Sequence, residues 1–204
     1  NKQLYSTTDP ASLWVVVNKK HPLHPASYVP IDLVVPNVRL RLGSGNEQMK
    51  FRKITHTDLI EMFAAAQAEG VQLVFGSGYR SHGLQKQFYN SYVAQDGRAE
   101  ADTYSARPGY SEHQSGLAVD FTSPSGKCHL EICWESSTEG QWIANNAYKY
   151  GFVLRYPKDK QVVTGYQYEP WHFRYVGKEL ANEMHNQKIT TLEEFFDLPG
   201  GTNY

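Results

Sequence analysis

The extended apolar runs of this chain are all short, and turn residues fence them. VQLVF (71–75), GLAVDF (116–121) and FVLRY (152–156) hold five or six residues apiece. Runs of this length, rich in β-branched and aromatic residues, read as buried strands. Segments with helical spacing lie between them, and hairpin signals accompany them. That alternation predicts an α+β fold with a small, largely antiparallel sheet flanked by helices, rather than a doubly wound parallel sheet.

The helical segments carry their own punctuation. THTDLIEMFAAAQAEG sets Leu59, Phe63 and Ala66 on one face, with Gly70 as a stop. HGLQKQFYNSYVAQDG, entered through Ser81 as N-cap, sets Leu84, Phe88 and Tyr92 at i, i+4 and i+8 and stops at Gly97. TEGQWIANNAYKYG opens on a Thr138–Gln141 capping box and closes at Gly151. KELANEMHNQ reads as a helix, and TTLEEFFDL opens on a Thr191–Glu194 box. DGRAEADTYSARPGYSEHQ reads as a loop. VVTGYQY and YEPWHFRYVG read as a hairpin turning at Thr164–Gly165. Residues 1–54, with four prolines in VVVNKKHPLHPASYVPIDLVVP, read as an extended N-terminal wrap on a core of 55–204, within one domain.

Charge and composition exclude several functions. A net charge of −1 gives no electrostatic footprint for nucleic acid or an anionic membrane. No stretch approaches the roughly 20 apolar residues of a membrane helix. The chain opens on Asn1 rather than Met, which fits the removal of a leader or anchor. Fourteen tyrosines and four tryptophans suit a groove for polar polymers or peptides, and suit a core equally. Cys128 and Cys133, in KCHLEICW, stand close enough to bridge. Export would favour the disulfide; the cytosol would favour free thiols.

Two segments carry chemistry. In YSEHQSGLAVDF, strand alternation turns Leu117, Val119 and Phe121 to the core and leaves Ala118 and Asp120 on the other face. Gly116 permits a tight turn that returns His113 towards Asp120. YEPWHFRYVG adds Glu169 and His172. Two imidazoles and a carboxylate make three N/O ligands, and zinc held by three protein ligands keeps a fourth position for water. Glu169 would then serve as the base for that water. Pro170 pushes Glu169 into extended geometry, so the two residues do not stack on a helix. A polyproline-like stretch, a turn, a bulge or a twist would each aim them at one space. Taken singly, each has an ordinary reading: a surface histidine, a capping aspartate, a solvated glutamate.

Together with SGYRS (77–81), the stretches SEHQSGLAVD (111–120) and EPWHFRYVG (169–177) resemble the three signatures of the zinc D-alanyl-D-alanine carboxypeptidases of the VanY and LdcB type. Their wider group includes lysostaphin-like peptidases and the zinc domain of Hedgehog proteins. The resemblance runs from about Leu73 to Gly177. It implies one zinc ion on His113, Asp120 and His172, with Glu169 as general base and then acid. It implies that Arg80 stabilises the oxyanion or holds the substrate carboxylate. Gln85, Ser111, Ser115 and Trp171 would contact substrate; their ordinary readings are a helix face, loop hydroxyls and core. The implied substrate is a peptidoglycan stem peptide losing its terminal D-alanine, outside the cytoplasmic membrane of a bacterium. ARPGYSEHQ leans towards L,D-cleavage of tetrapeptides over D,D-cleavage of pentapeptides. A cross-bridge endopeptidase and a non-catalytic zinc module are the alternatives.

Overall fold

The computed structural model describes residues 4–204; residues 1–3, where the expected wrap begins, lie outside the described residues. Its main sheet has four strands in the order β3–β4–β6–β5, all antiparallel. These are β3 (Val74–Ser77), β4 (Ala118–Thr122), β5 (Phe152–Leu154) and β6 (His172–Tyr175). A two-stranded ribbon, β1 (Leu33–Val34) with β2 (Phe51–Arg52), belongs to the N-terminal segment. The α+β architecture with a small antiparallel sheet is the one expected.

Alternation along β4 divides the sheet. Leu117, Val119 and Phe121 pack into the apolar core with Phe75, Phe152 and Phe173. Helices α1 (His56–Ala68) and α4 (Thr138–Asn146) cover that face, α1 through Leu59, Met62 and Ala66. The opposite face carries Ser77, Asp120, His172 and Arg174, all buried. Residues 14–19 of the N-terminal segment are buried as well. Helices α6 (Lys178–Gln187) and α7 (Leu192–Phe196) close a second cluster around Trp14 and Val16.

Several local expectations hold. Ser81 Oγ accepts from Leu84 N–H at the start of α2 (His82–Asp96), and Thr191 Oγ1 accepts from Glu194 N–H at the start of α7. Others need correction. The segment expected as loop contains α3 (Arg98–Tyr104), whose Ala101 packs fully buried against the end of α2. Thr164–Gly165 is no hairpin turn: α5 (Gln161–Thr164) is a single helical turn that stops at Gly165, φ 88°. The N-cap of α4 is Ser137, not Thr138; Ser137 Oγ accepts from Gly140 N–H. The buried residues of α2 are Gln85 and Tyr89, not the Leu84–Phe88–Tyr92 stripe. Its inner face is polar: Tyr89 donates to Asp102 at 2.7 Å and Gln85 to Ala106 O at 2.6 Å.

On the polar face two arginines are entirely buried. Arg155 donates to Glu193 at 2.8 and 3.0 Å and to Glu112 at 2.7 Å. Arg174 donates to Glu112 at 2.9 Å and to Leu13 O at 2.9 Å. Removing one partner of a buried ion pair strands the other charge, so Glu193→Gln is expected to cost about 3–5 kcal/mol in urea unfolding. Burial opposes charge on Glu193, but Arg155 and Asn18 hold its carboxyl below the ordinary value of 4.5. A depressed folded value adds stability that is present above the ordinary value and lost as pH falls through the folded one. The Gln variant should therefore lose less stability than the parent on acidification.

Candidate active site

Strand register assembles the centre. Asp120 on β4 stands opposite His172 on β6 and opposite Ser77 on β3. The Ser77 pairing depends on a bulge between Phe75 and Ser77. Gly76 occupies it because a Cβ there would lie 2.6 Å from Asp120 O. The bulge turns Ser77 Oγ to donate to Asp120 Oδ2 at 2.6 Å. His113 arrives from a 3-10 turn, Glu112–Ser115, that Gly116 ends at φ 68°. This is the return expected of that glycine. His113 Nδ1 donates to Gly78 O at 2.7 Å, leaving Nε2 towards Asp120 Oδ2 at 3.3 Å. His172 Nδ1 lies 3.4 Å from Asp120 Oδ1.

One ligand atom from each of His113, Asp120 and His172 lies within 4.8 Å of the others, and all three residues are buried. Asp120 Oδ1 is buried without a hydrogen-bond partner. An orphaned carboxylate oxygen beside the His172 nitrogen, with the His113 nitrogen at the carboxylate's other oxygen, fits a divalent cation with N/O preference. Burial would raise the Asp120 carboxyl, but His113, His172 and Arg80 hold it below the usual carboxylate range. The carboxylate is thus held in its charged form, the one that coordinates a cation.

Glu169 stands beside it, with Oε2 3.2 Å from His172 Nδ1. The backbone between them is a turn: His172 N–H donates to Glu169 O at 3.1 Å, with Pro170 and Trp171 at the tip. Of the alternatives left open by the sequence, the turn is the one found. It faces both side chains to one space. Burial pushes the Glu169 carboxyl up, against the pull of His172, the direction a general base needs. Arg80 NH2 is 3.9 Å from Asp120 Oδ2, while NH1 donates to Gln85 Oε1 at 3.0 Å. Its Nε is buried and unpartnered.

These groups line a groove of about 520 Å³. Ser111 and Trp171 also line it. Gln85 does too, but its amide is committed to Arg80 and Ala106 O, so it braces the arginine. Ser115 lies outside the groove, contrary to its expected substrate contact. Its fully buried hydroxyl donates to Glu112 O at 2.6 Å and accepts from Leu117 N–H, closing the 3-10 turn. Cys128 and Cys133 are disulfide-bonded, with Cα atoms 5.5 Å apart. The loop they close presents Leu130 and Ile132, 43% and 48% exposed, to the groove. Residues that the sequence reading passed over are Ser77, Glu112 and Tyr156. Tyr156 lines the groove with its ring 4.7 Å from that of His172.

Three N/O donors with a separate carboxylate alongside, in an open groove, are the parts that metal-assisted hydrolysis requires. Residues 48–178 match the VanY family, D-alanyl-D-alanine carboxypeptidase, and the chain belongs to that family. It is 42% identical over 194 residues to the Bacillus subtilis protein YodJ, covering 95% of this chain and 70% of that one. Among solved structures, the LdcB LD-carboxypeptidase superposes with a TM-score of 0.86 at 42% identity, covering 92% of this chain and 87% of its own. A mutant of the vancomycin-resistance D,D-pentapeptidase VanY, in complex with Zn(II), gives 0.72 at 33% identity, covering 89% and 97%.

Proposed function

We propose that this protein is a zinc carboxypeptidase that removes the terminal D-alanine from peptidoglycan stem peptides, with tetrapeptides, an L,D cleavage, preferred. The observation that carries the reading is Glu169, a carboxylate set against the His113–Asp120–His172 donor set and free to move a proton. A zinc module without activity has no need of it. The preference for tetrapeptides is supported by the greater likeness to LdcB than to the pentapeptidase.

In this reading His113 Nε2, Asp120 and His172 Nδ1 hold the ion. Bound there, zinc supplies Lewis-acid polarisation and lowers the pKa of water to about 7. Glu169 takes the proton from the attacking water and later delivers it to the departing amine of D-alanine. Arg80, braced by Gln85 and lining the groove, sets its guanidinium to meet charge developing on the scissile carbonyl oxygen or the terminal carboxylate. Ser111 and Trp171 contact the substrate, and residues 55–204 form the catalytic core with the N-terminal segment wrapped on it. Peptidoglycan lies outside the cytoplasmic membrane, and a disulfide persists in that oxidising setting. No helix of the described residues is long and apolar enough to cross a membrane.

Arg80→Lys should lower kcat by about 10²–10³-fold with zinc retained, because an ammonium cannot reproduce the fork. Steady-state kinetics with metal analysis checks this. Cys128→Ser with Cys133→Ser should raise KM several-fold and leave kcat nearly unchanged, because Leu130 and Ile132 only bind.

The experiment that tests the function incubates zinc-loaded protein with defined tetrapeptide and pentapeptide stems and with a cross-linked dimer. Faster alanine release from the tetrapeptide is expected. Preference for the pentapeptide would reverse the L,D assignment, and cleavage of the dimer between stems would make the protein an endopeptidase.

A further inference from the structure

We infer that Glu112 is a positioning residue that fixes the tautomer of His172. The inference rests on the reading of His172 as a ligand through Nδ1. Glu112 lies between Ser111 and His113, and its side chain is fully buried. Its Oε2 is 3.3 Å from His172 Nε2. Its Oε1 accepts from Arg155 Nε at 2.7 Å and from Arg174 NH1 at 2.9 Å.

The two carboxylate oxygens therefore have different tasks. Oε1 is claimed by two guanidinium donors. Oε2 is left for His172, whose Nε2 must carry a proton to donate to it. In the neutral imidazole that leaves Nδ1 as the lone pair, and Nδ1 is the nitrogen facing Asp120 and Glu169. The anchor reaches far from the groove. Arg174 donates to Leu13 O, Arg155 reaches Glu193 on α7, and Asn18 donates to Glu193 at 2.9 Å. The N-terminal segment and the last helix thus hold the carboxylate that orients the third ligand.

Glutamine at 112 separates orientation from packing. Both arginines need an acceptor at Oε1, so the amide oxygen must stay there. The NH2 group then faces His172 Nε2 as a donor. It demands a lone pair on Nε2 and moves the imidazole proton to Nδ1, where it blocks coordination. Lost support of this kind weakens metal binding by about 10–100-fold.

The test measures zinc affinity by chelator competition, and the visible spectrum of the cobalt-loaded protein, for wild type, Glu112→Gln, Glu112→Asp and Glu193→Gln. Glu112→Gln should bind zinc about 10–100-fold more weakly and alter the cobalt bands. Glu112→Asp keeps the charge against the arginines and an acceptor side chain, so it should recover part of the affinity; it also serves if the Gln variant does not fold. Glu193→Gln loosens the same network one residue further out, leaving Glu112 Oε2 on His172, and should lose less zinc affinity than Glu112→Gln. Wild-type affinity and spectra in both Glu112 variants, or an equal loss in Glu193→Gln, would overturn the positioning role while the ligand reading stands. Wild-type protein that took up no zinc would overturn the ligand reading and the inference with it.

Discussion

Glu169→Gln is expected to lower kcat by about 10²–10⁴-fold while zinc content and KM stay near wild type. Glutamine matches glutamate in size, so the turn through Pro170 and Trp171 should survive, since backbone closes it through Glu169 O and His172 N–H. What is lost is the ability to take and return a proton. The carboxylate is only 15% exposed, so bulk water cannot readily stand in for it. Kinetics on a stem peptide, with zinc measured on the same sample, checks this. Full activity in the zinc-loaded variant would remove Glu169 from the mechanism.

Asp120→Ala should reach further and abolish both zinc uptake and hydrolysis. Asp120 lies beside His113, His172 and Arg80 and accepts the Ser77 hydroxyl. Without it two imidazoles remain, too few for a stable three-ligand site. Groups that act as a unit fail together, so activity should fall about 10⁴-fold or more, as far as for loss of the whole set. Zinc stoichiometry after gel filtration, with activity measured in parallel, gives the comparison. Near-stoichiometric zinc in this variant would place the metal elsewhere.

Much of the centre was legible because period and register are local. Alternation in GLAVDF turned Asp120 away from the core, and Gly116 returned His113 to it. The Glu169–His172 turn was one of several shapes that an extended pre-proline residue allows, and sequence could not choose among them. Ser77 was hidden because its alignment with Asp120 depends on a bulge at Gly76, a pairing that arises only when β3 meets β4. Glu112 lay in a stretch that read as a loop, and nothing local singled it out. A signal for it did exist: Arg174 sits inside β6 and Arg155 directly follows β5, and buried guanidinium groups there need a carboxylate partner. Helix α3 was missed because the glycine that stops α2 also begins α3.

The most direct test of the account is the mass of the product from a defined tetrapeptide, with zinc-loaded protein and with protein stripped of metal. The account predicts loss of one terminal alanine with the loaded protein, no change with the stripped protein, and recovery when zinc is restored. Undiminished hydrolysis by the metal-free protein would contradict it.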